Sequence, residues 1–334
     1  MYYPVERVRI LAGELMAPAT IRTFTNILPL DGCGWYKIRL HFHAALAAIV
    51  APYTDAMYRW IKAVTVRTSR GETLVNAVPG MALYRLNCYL NHSTPAHTHL
   101  LAAGNAAVEA QLEIPFTFNF LSRKEDTILD TGRYSNVELQ ITTGTIADLS
   151  AAGAVDWTAP GVTMCIELVR TMAAIKGLDG KPMALPYIST YPLVHVDVTP
   201  YWDLESSLDL GLFGFFIYNR GAMPIPFCCL TGGGSDVLTD VTLRDSARTW
   251  LSLVNFSTFQ QERKELLPYN DAGILVATEI PTSEVGMYPH WFVRNGSVNE
   301  AYPTGGKAVS RLEFVNATAT QEADLCVFGM RAPR

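Results

Sequence analysis

VTVRTSRGETL runs from Val64 to Leu74, and VTLRDSARTWL runs from Val241 to Leu251. Each opens as a Val/Thr-rich strand, meets arginine at its fourth position and breaks into polar residues. The phrases lie 177 residues apart in a chain of 334, so each holds the same place in its half. An eleven-residue match can arise by chance. A duplication requires further matches in the same order.

Three more follow. SNVELQITTGT (Ser135 to Thr145) corresponds to SRLEFVNATAT (Ser310 to Thr320), with serine, glutamate and two threonines coinciding. GWYKIRLHFHA from Gly34 aligns with GLFGFFIYNRG from Gly211, and MCIELVRTM from Met164 with LCVFGMRAP from Leu325. The last offset is shorter, so the first half carries extra residues, placed in the turn-rich IADLSAAGAVDWTAPG.

Alternation of apolar and polar residues marks the strands. Tyr36, Ile38, Leu40 and Phe42 face one way, and Lys37, Arg39, His41 and His43 the other. Further strands are expected at IRTFTNIL (from Ile21), YRWIKAVTVR (from Tyr58), LEIPFTFNF (from Leu112), NVELQIT, GILVATEI (from Gly273) and DLCVFGM. Helical periodicity is confined to PGMALYRLNCYLN, NFSTFQQERKELLP and the N-terminal VERVRILAGEL, where Val5, Val8 and Leu11 or Leu15 share a helical side. The expected fold is all-β, two tandem β-sandwiches with a few short helices. The division is an N-terminal arm 1–18, a first sandwich 19–172, a linker 173–190 and a second sandwich 191–334.

Composition narrows the function. Charged residues make up only 17%, against roughly 25% in soluble domains, which suits a chain covered by neighbouring subunits. A net charge of −5 without a basic run speaks against neutralising nucleic acid. AALAAIVAP and LGLFGFFIY are too short to span a bilayer as helices, and no signal peptide is expected at the N-terminus. The six cysteines, at 33, 88, 165, 228, 229 and 326, show no CxxC or zinc spacing; free buried thiols in a reducing cytoplasm are expected.

The doubled β unit, the helix after a mid-unit strand, the helix-prone N-terminus and the stretch TILDTGRYSNVELQITTGT resemble the double jelly-roll major capsid proteins of tailless icosahedral viruses. Within that group the resemblance is particularly to bacteriophages with an internal membrane. The resemblance covers essentially the whole chain and carries no catalytic signature. It implies two jelly rolls per chain, a homotrimer acting as a pseudo-hexagonal capsomer, and contacts with neighbouring capsomers and with minor capsid and vertex proteins. It further implies an N-terminal arm that faces inward, toward the viral membrane or a neighbouring capsomer, no direct nucleic-acid binding, and a place in the virion after assembly in the host cytoplasm.

Two other readings compete. A bicupin-type metalloprotein would use His41 and His43, but the glutamate expected three or four residues further on is replaced by Ala47 and Ala48. His92, His97 and His99 form a second histidine cluster, read as a solvated loop. A carbohydrate-binding tandem sandwich would expose Trp157, Tyr201, Trp202 or Trp291 in one groove. TGGGSD lacks the Lys-Ser/Thr ending of a phosphate loop, and Glu125-Asp126 lies in a charged turn. No catalytic, cofactor or metal residue is assigned, and the chain is expected not to be an enzyme.

Overall fold

The structure is a computed structural model. It describes residues 4–25, 28–45, 56–91, 107–149, 161–175, 184–193, 201–204, 210–219, 238–245, 248–253, 287–305, 310–316 and 323–332. Residue contacts divide the chain into two units: Met1–Asn119 with Arg123–Ile188 and Ala332–Arg334, and Phe120–Ser122 with Ser189–Arg331.

The first unit contains β1 (Val5–Met16), β2 (Ile21–Phe24), β3 (Cys33–Ala45), α1 (Ala56–Trp60), β4 (Ile61–Thr68), β5 (Thr73–Val78), α2 (Gly80–Asn91), β6 (Ala107–Pro115), the two-residue β7 (Leu129–Asp130), β8 (Val137–Thr143) and β9 (Gly161–Ala174). One sheet has the order β1–β9–β3–β6, with β7 beside β3; in the other, β5, β4, β8 and β2 are successive neighbours. Leaving out β7, the strands are thus arranged first–eighth–third–sixth and second–seventh–fourth–fifth. That is the wiring of a jelly roll.

The second unit contains β10 (Leu185–Leu193, whose first residues group with the first unit), β11 (Tyr201–Leu204), β12 (Leu210–Asn219), β13 (Leu238–Asp245), β14 (Thr249–Leu253), β15 (Met287–Trp291), β16 (Tyr302–Pro303), β17 (Ser310–Asn316) and β18 (Ala323–Arg331). Here β15, β12, β18 and β10 are neighbours in one sheet, with β16 beside β12, and β11–β17–β13–β14 form another. Leaving out β16, the order is again first–eighth–third–sixth and second–seventh–fourth–fifth. Phe120 belongs to this unit, its ring edge-on to Phe213 at 5.7 Å and to Phe328 at 6.3 Å.

The duplicated phrases fall on equivalent strands. VTVRTSRGETL is the β4–β5 hairpin, and VTLRDSARTWL is β13–β14. Both hairpins slip register at the fourth-position arginine, between Val66 and Arg67 and between Leu243 and Arg244. Each arginine then has the repeated glutamate within reach on the neighbouring strand. Arg67 stands opposite Glu138, and Arg244 pairs with Glu313. The register differs in the second half, where Arg244 stands opposite Arg311 and reaches Glu313 two residues along, so the repetition keeps the residues and the hairpin but not one pairing.

Burial follows the alternation. Ile38, Leu40 and Phe42 are buried on β3, as are Val137, Leu139 and Ile141 on β8 and Val64 and Val66 on β4. Each such side chain contributes about 1.5–3 kcal/mol by leaving water. Cys33, Cys88 and Cys326 are buried free thiols and Cys165 is half-buried, while Cys228 and Cys229 lie outside the described residues. Burial pushes the Cys88 thiol up to about 12.

Four expectations need correction. The strand expected from Tyr58 begins at Ile61, since Ala56–Trp60 is α1. VERVRILAGEL is not a helical arm but β1, paired with β9 from Val5 to Met16. The strand expected from Leu112 to Phe120 begins at Ala107 and ends at Pro115; beyond it the Phe116 and Thr117 N–H groups both donate to the Tyr36 carbonyl, so the regular ladder stops. The segment expected as a linker, 173–190, holds the end of β9 and much of β10. The helix expected at PGMALYRLNCYLN is α2, whereas NFSTFQQERKELLP, GILVATEI and TGGGSD lie outside the described residues. No described helix is long and apolar enough to cross a membrane.

Candidate functional site

Alternate residues of β3, β6 and β9 fill the core, and the others, mostly polar and including the buried Glu113 and Val169, form the second face of the sheet β1–β9–β3–β6. Register places them in four rows across the strands. Arg7, Val169, Lys37 and Pro115 make the first row, and Arg9, Glu167, Arg39 and Glu113 the second. Ala12, Cys165, His41 and Gln111 make the third, and Leu15, Thr163, His43 and Glu109 the fourth. The second row alternates in charge across all four strands, the arrangement in which cross-strand neighbours attract.

Glu113 is the hub. Its carboxylate accepts from Lys37 Nζ at 2.7 Å, from Arg39 Nε at 2.7 Å and from Asn91 Nδ2 at 3.1 Å. Arg39 also donates to Glu167 Oε1 at 3.0 Å, so one guanidinium joins two carboxylates. Burial works to raise the Glu113 carboxyl, but Lys37 and Arg39 outweigh it and hold it below its ordinary 4.5. Such half-buried, shared pairs are less screened than the exposed pairs Arg22–Glu14 and Lys62–Asp148. At one margin of the same sheet Arg170 bonds Glu6 and Asp31.

Over Cys165 of the third row lies a recess of about 460 Å³ lined by Arg9, His41, His43, Glu109, Gln111 and Glu167 among others. His43 Nδ1 lies 3.5 Å from Glu109, and His41 Nε2 lies 3.9 Å from Glu167. Burial lowers the His41 pKa below its ordinary 6.5; Glu167 opposes this, and Arg39 and Arg9 add to it. A depressed histidine makes stability that is present above 6.5 and lost as pH falls through the folded value. Thermal melts between pH 7.5 and 5 are therefore expected to fall more steeply for wild type than for His41→Gln. Identical slopes would show that His41 does not titrate against this face.

His41 and His43 do share a face, as alternation requires, but among the described residues no group of three or more His, Cys, Asp or Glu is placed to hold a metal. His92, His97, His99 and Trp157 lie outside the described residues. The aromatic residues considered for sugar binding do not share one exposure. Trp291 is buried, Trp202 stacks on Tyr191 with centroids 4.5 Å apart, and exposed Tyr201 is covered by the Arg311 guanidinium at 4.1 Å. Glu125 and Asp126 lie in a short 3-10 turn, where Arg123 pairs with Asp126. Sequence reading did not single out Glu113 or Glu167. The signal was present in the Lys37–Arg39 row of β3, which needed acidic partners on the flanking strands.

No protein-family profile and no curated protein matches the chain. Solved structures do, over nearly their whole length. The chain is similar to the crystal structure of the STIV MCP, with a TM-score of 0.70 and 12% identity over 98% of this chain and 96% of the other. Its likeness to the Faustovirus major capsid protein has a TM-score of 0.62 at 8% identity, covering 100% and 90%. For the major capsid protein P2 from bacteriophage PM2 the TM-score is 0.59 at 13% identity, covering 99% and 98%. At such identities the likeness establishes the fold, a double jelly roll.

Proposed function

We propose that the chain is a structural coat protein, a major capsid subunit of an icosahedral virus, present in the virion after assembly in the host cytoplasm. One observation carries this reading. The same eight-strand wiring occurs twice in one chain, and capsid proteins match that doubled arrangement from end to end. Fold and function are separable in general. Here, however, the doubled unit has a geometric use: three copies present six similar jelly rolls and so tile as a hexagon. The partners are then two further copies, neighbouring capsomers, and minor capsid and vertex proteins.

The internal membrane belongs to the same proposal. A coat held off its genome by lipid need not be basic, and the net charge of −5 suits that. A helical arm lying on the membrane has no support from residues 5–16, which form β1. The catalytic role is null in this reading, and the polar face serves as surface chemistry between proteins.

Light scattering on the purified protein is the test. A stable species of three times 36.8 kDa is the expected result. A monomer that persists at high concentration would overturn the capsomer and favour a tandem-sandwich binding module.

A further inference from the structure

We infer that α1 and α2 seal the outer edge of β6, so that a strand from a second copy cannot add to this sheet. β6 ends the order β1–β9–β3–β6, and an end strand offers unpaired N–H and C=O groups to any extended chain. On β6 three of these groups are taken by side chains. The Glu113 N–H donates to Asn87 Oδ1 at 2.8 Å, and Asn87 Nδ2 donates to the Glu113 carbonyl at 2.8 Å. That double bond to one residue is what a strand partner makes in an antiparallel ladder. Two residues along, on the same side of the strand, the Tyr58 hydroxyl of α1 donates to the Gln111 carbonyl at 3.4 Å.

The seal is built in. Asn87 is 1% exposed, an unusual place for an amide unless its bonds are needed there. The Tyr58 and Tyr84 rings pack tilted with centroids 4.4 Å apart, tying α1 to α2, and Asn91 of α2 bonds the Glu113 carboxylate. The opposite end of the sheet is protected differently. β1 slips register between Arg9 and Leu11 and between Ala12 and Glu14, and carries exposed Arg7 and Arg9. With both ends of the sheet closed to strand addition, copies meet through faces and loops. This rests on the first unit's geometry and holds whether or not the chain is a coat subunit.

The test uses the full chain with Asn87→Ala, which removes both edge bonds, and Asn91→Ala, which removes the side-chain bonds to the Glu113 carboxylate and from Asn119 Nδ2 but no bond to the β6 backbone. Hydrogen exchange is read at the Glu113 amide and particle size by sedimentation across concentration. Asn87→Ala is expected to speed Glu113 exchange by about tenfold or more, as losing a bond of this kind does, and to add large, β-rich species that wild type lacks. Asn91→Ala is expected to change neither. A folded Asn87→Ala protein with wild-type sizes at every concentration overturns the inference, as does rapid exchange of the Glu113 amide in wild type. Should Asn87→Ala fail to fold, Tyr58→Phe decides: it keeps the ring and removes the hydroxyl that bonds the Gln111 carbonyl, and unchanged association there also overturns the seal.

Discussion

Replacing Gly329 with valine is expected to unfold the second unit. β18 runs against β12 with Gly329 opposite Leu212, beside the register slip between Leu212 and Gly214. A Cβ on Gly329 would land on the Gly211 carbonyl oxygen, well inside van der Waals contact, and 2.9 Å from the Leu212 Cα. Both obstacles are backbone, so no side-chain rotation relieves them. The strands must part, and the ladder between Leu210–Asn219 and Ala323–Arg331 goes with them. Overpacking in a core costs about 1–3 kcal/mol when side chains can shift, and a backbone clash exceeds that range. Against a typical stability of about 5–15 kcal/mol, loss of the soluble, folded second unit is the expected result. Limited proteolysis and a melting curve check it. A soluble Gly329→Val protein melting within about 2 °C of wild type would mean that the strands do not approach as described.

How much of this was legible in the sequence depends on how regular each strand is. β8 and β3 keep period two almost throughout, so the buried Val137, Leu139 and Ile141 and the polar Lys37, Arg39, His41 and His43 can be assigned by counting. β1 is the opposite case. Its two register slips lie three residues apart, the second at Gly13 with φ of 91°, and each shifts the following side chains by one position. The first slip puts Val8 and Leu11, three residues apart, on one face, whereas Val5 and Leu15 lie exposed on the other, so the helix-like spacing of these four residues arises in a chain that is extended. Bulges and helices leave the same trace in a short window. Pairing with β9 distinguishes them, and pairing is a long-range property.

The polar face shows a second limit. The four repeated segments identify equivalent strands because duplication preserves local residues, including Arg67 and Glu138 against Arg244 and Glu313. The row Arg9–Glu167–Arg39–Glu113 draws on four strands scattered over more than 150 residues of chain. Each member alone looks like an ordinary solvated charge. Only the wiring of the jelly roll brings alternating signs side by side.

That row makes a strong prediction about acid stability. Glu113→Gln keeps the shape of the side chain and removes the charge that Lys37 and Arg39 share. Breaking a buried pair from one side costs about 3–5 kcal/mol. The Glu113 side chain is 7% exposed, but those of Lys37 and Arg39 are 23% and 16% exposed, so water recovers part of the loss. About 2–3 kcal/mol at pH 7 is expected, with Arg39 still held by Glu167. The exposed pair Glu14–Arg22 provides the contrast, since Glu14→Gln is expected to cost less than about 1 kcal/mol. The sign of the pH dependence follows from the lowered Glu113 pKa. As pH falls below 4.5 the unfolded chain takes up this proton first, so the contribution is present above 4.5 and lost as pH falls through the folded value. Denaturant melts at pH 7 and pH 3.5 should therefore converge for wild type and Glu113→Gln on acidification. A variant within about 0.5 kcal/mol of wild type at pH 7 would place it among ordinary surface substitutions and sink the hub role. A persisting gap at pH 3.5, together with a full-sized loss at pH 7, would assign the effect to the hydrogen bonds of the amide rather than to the shared charge.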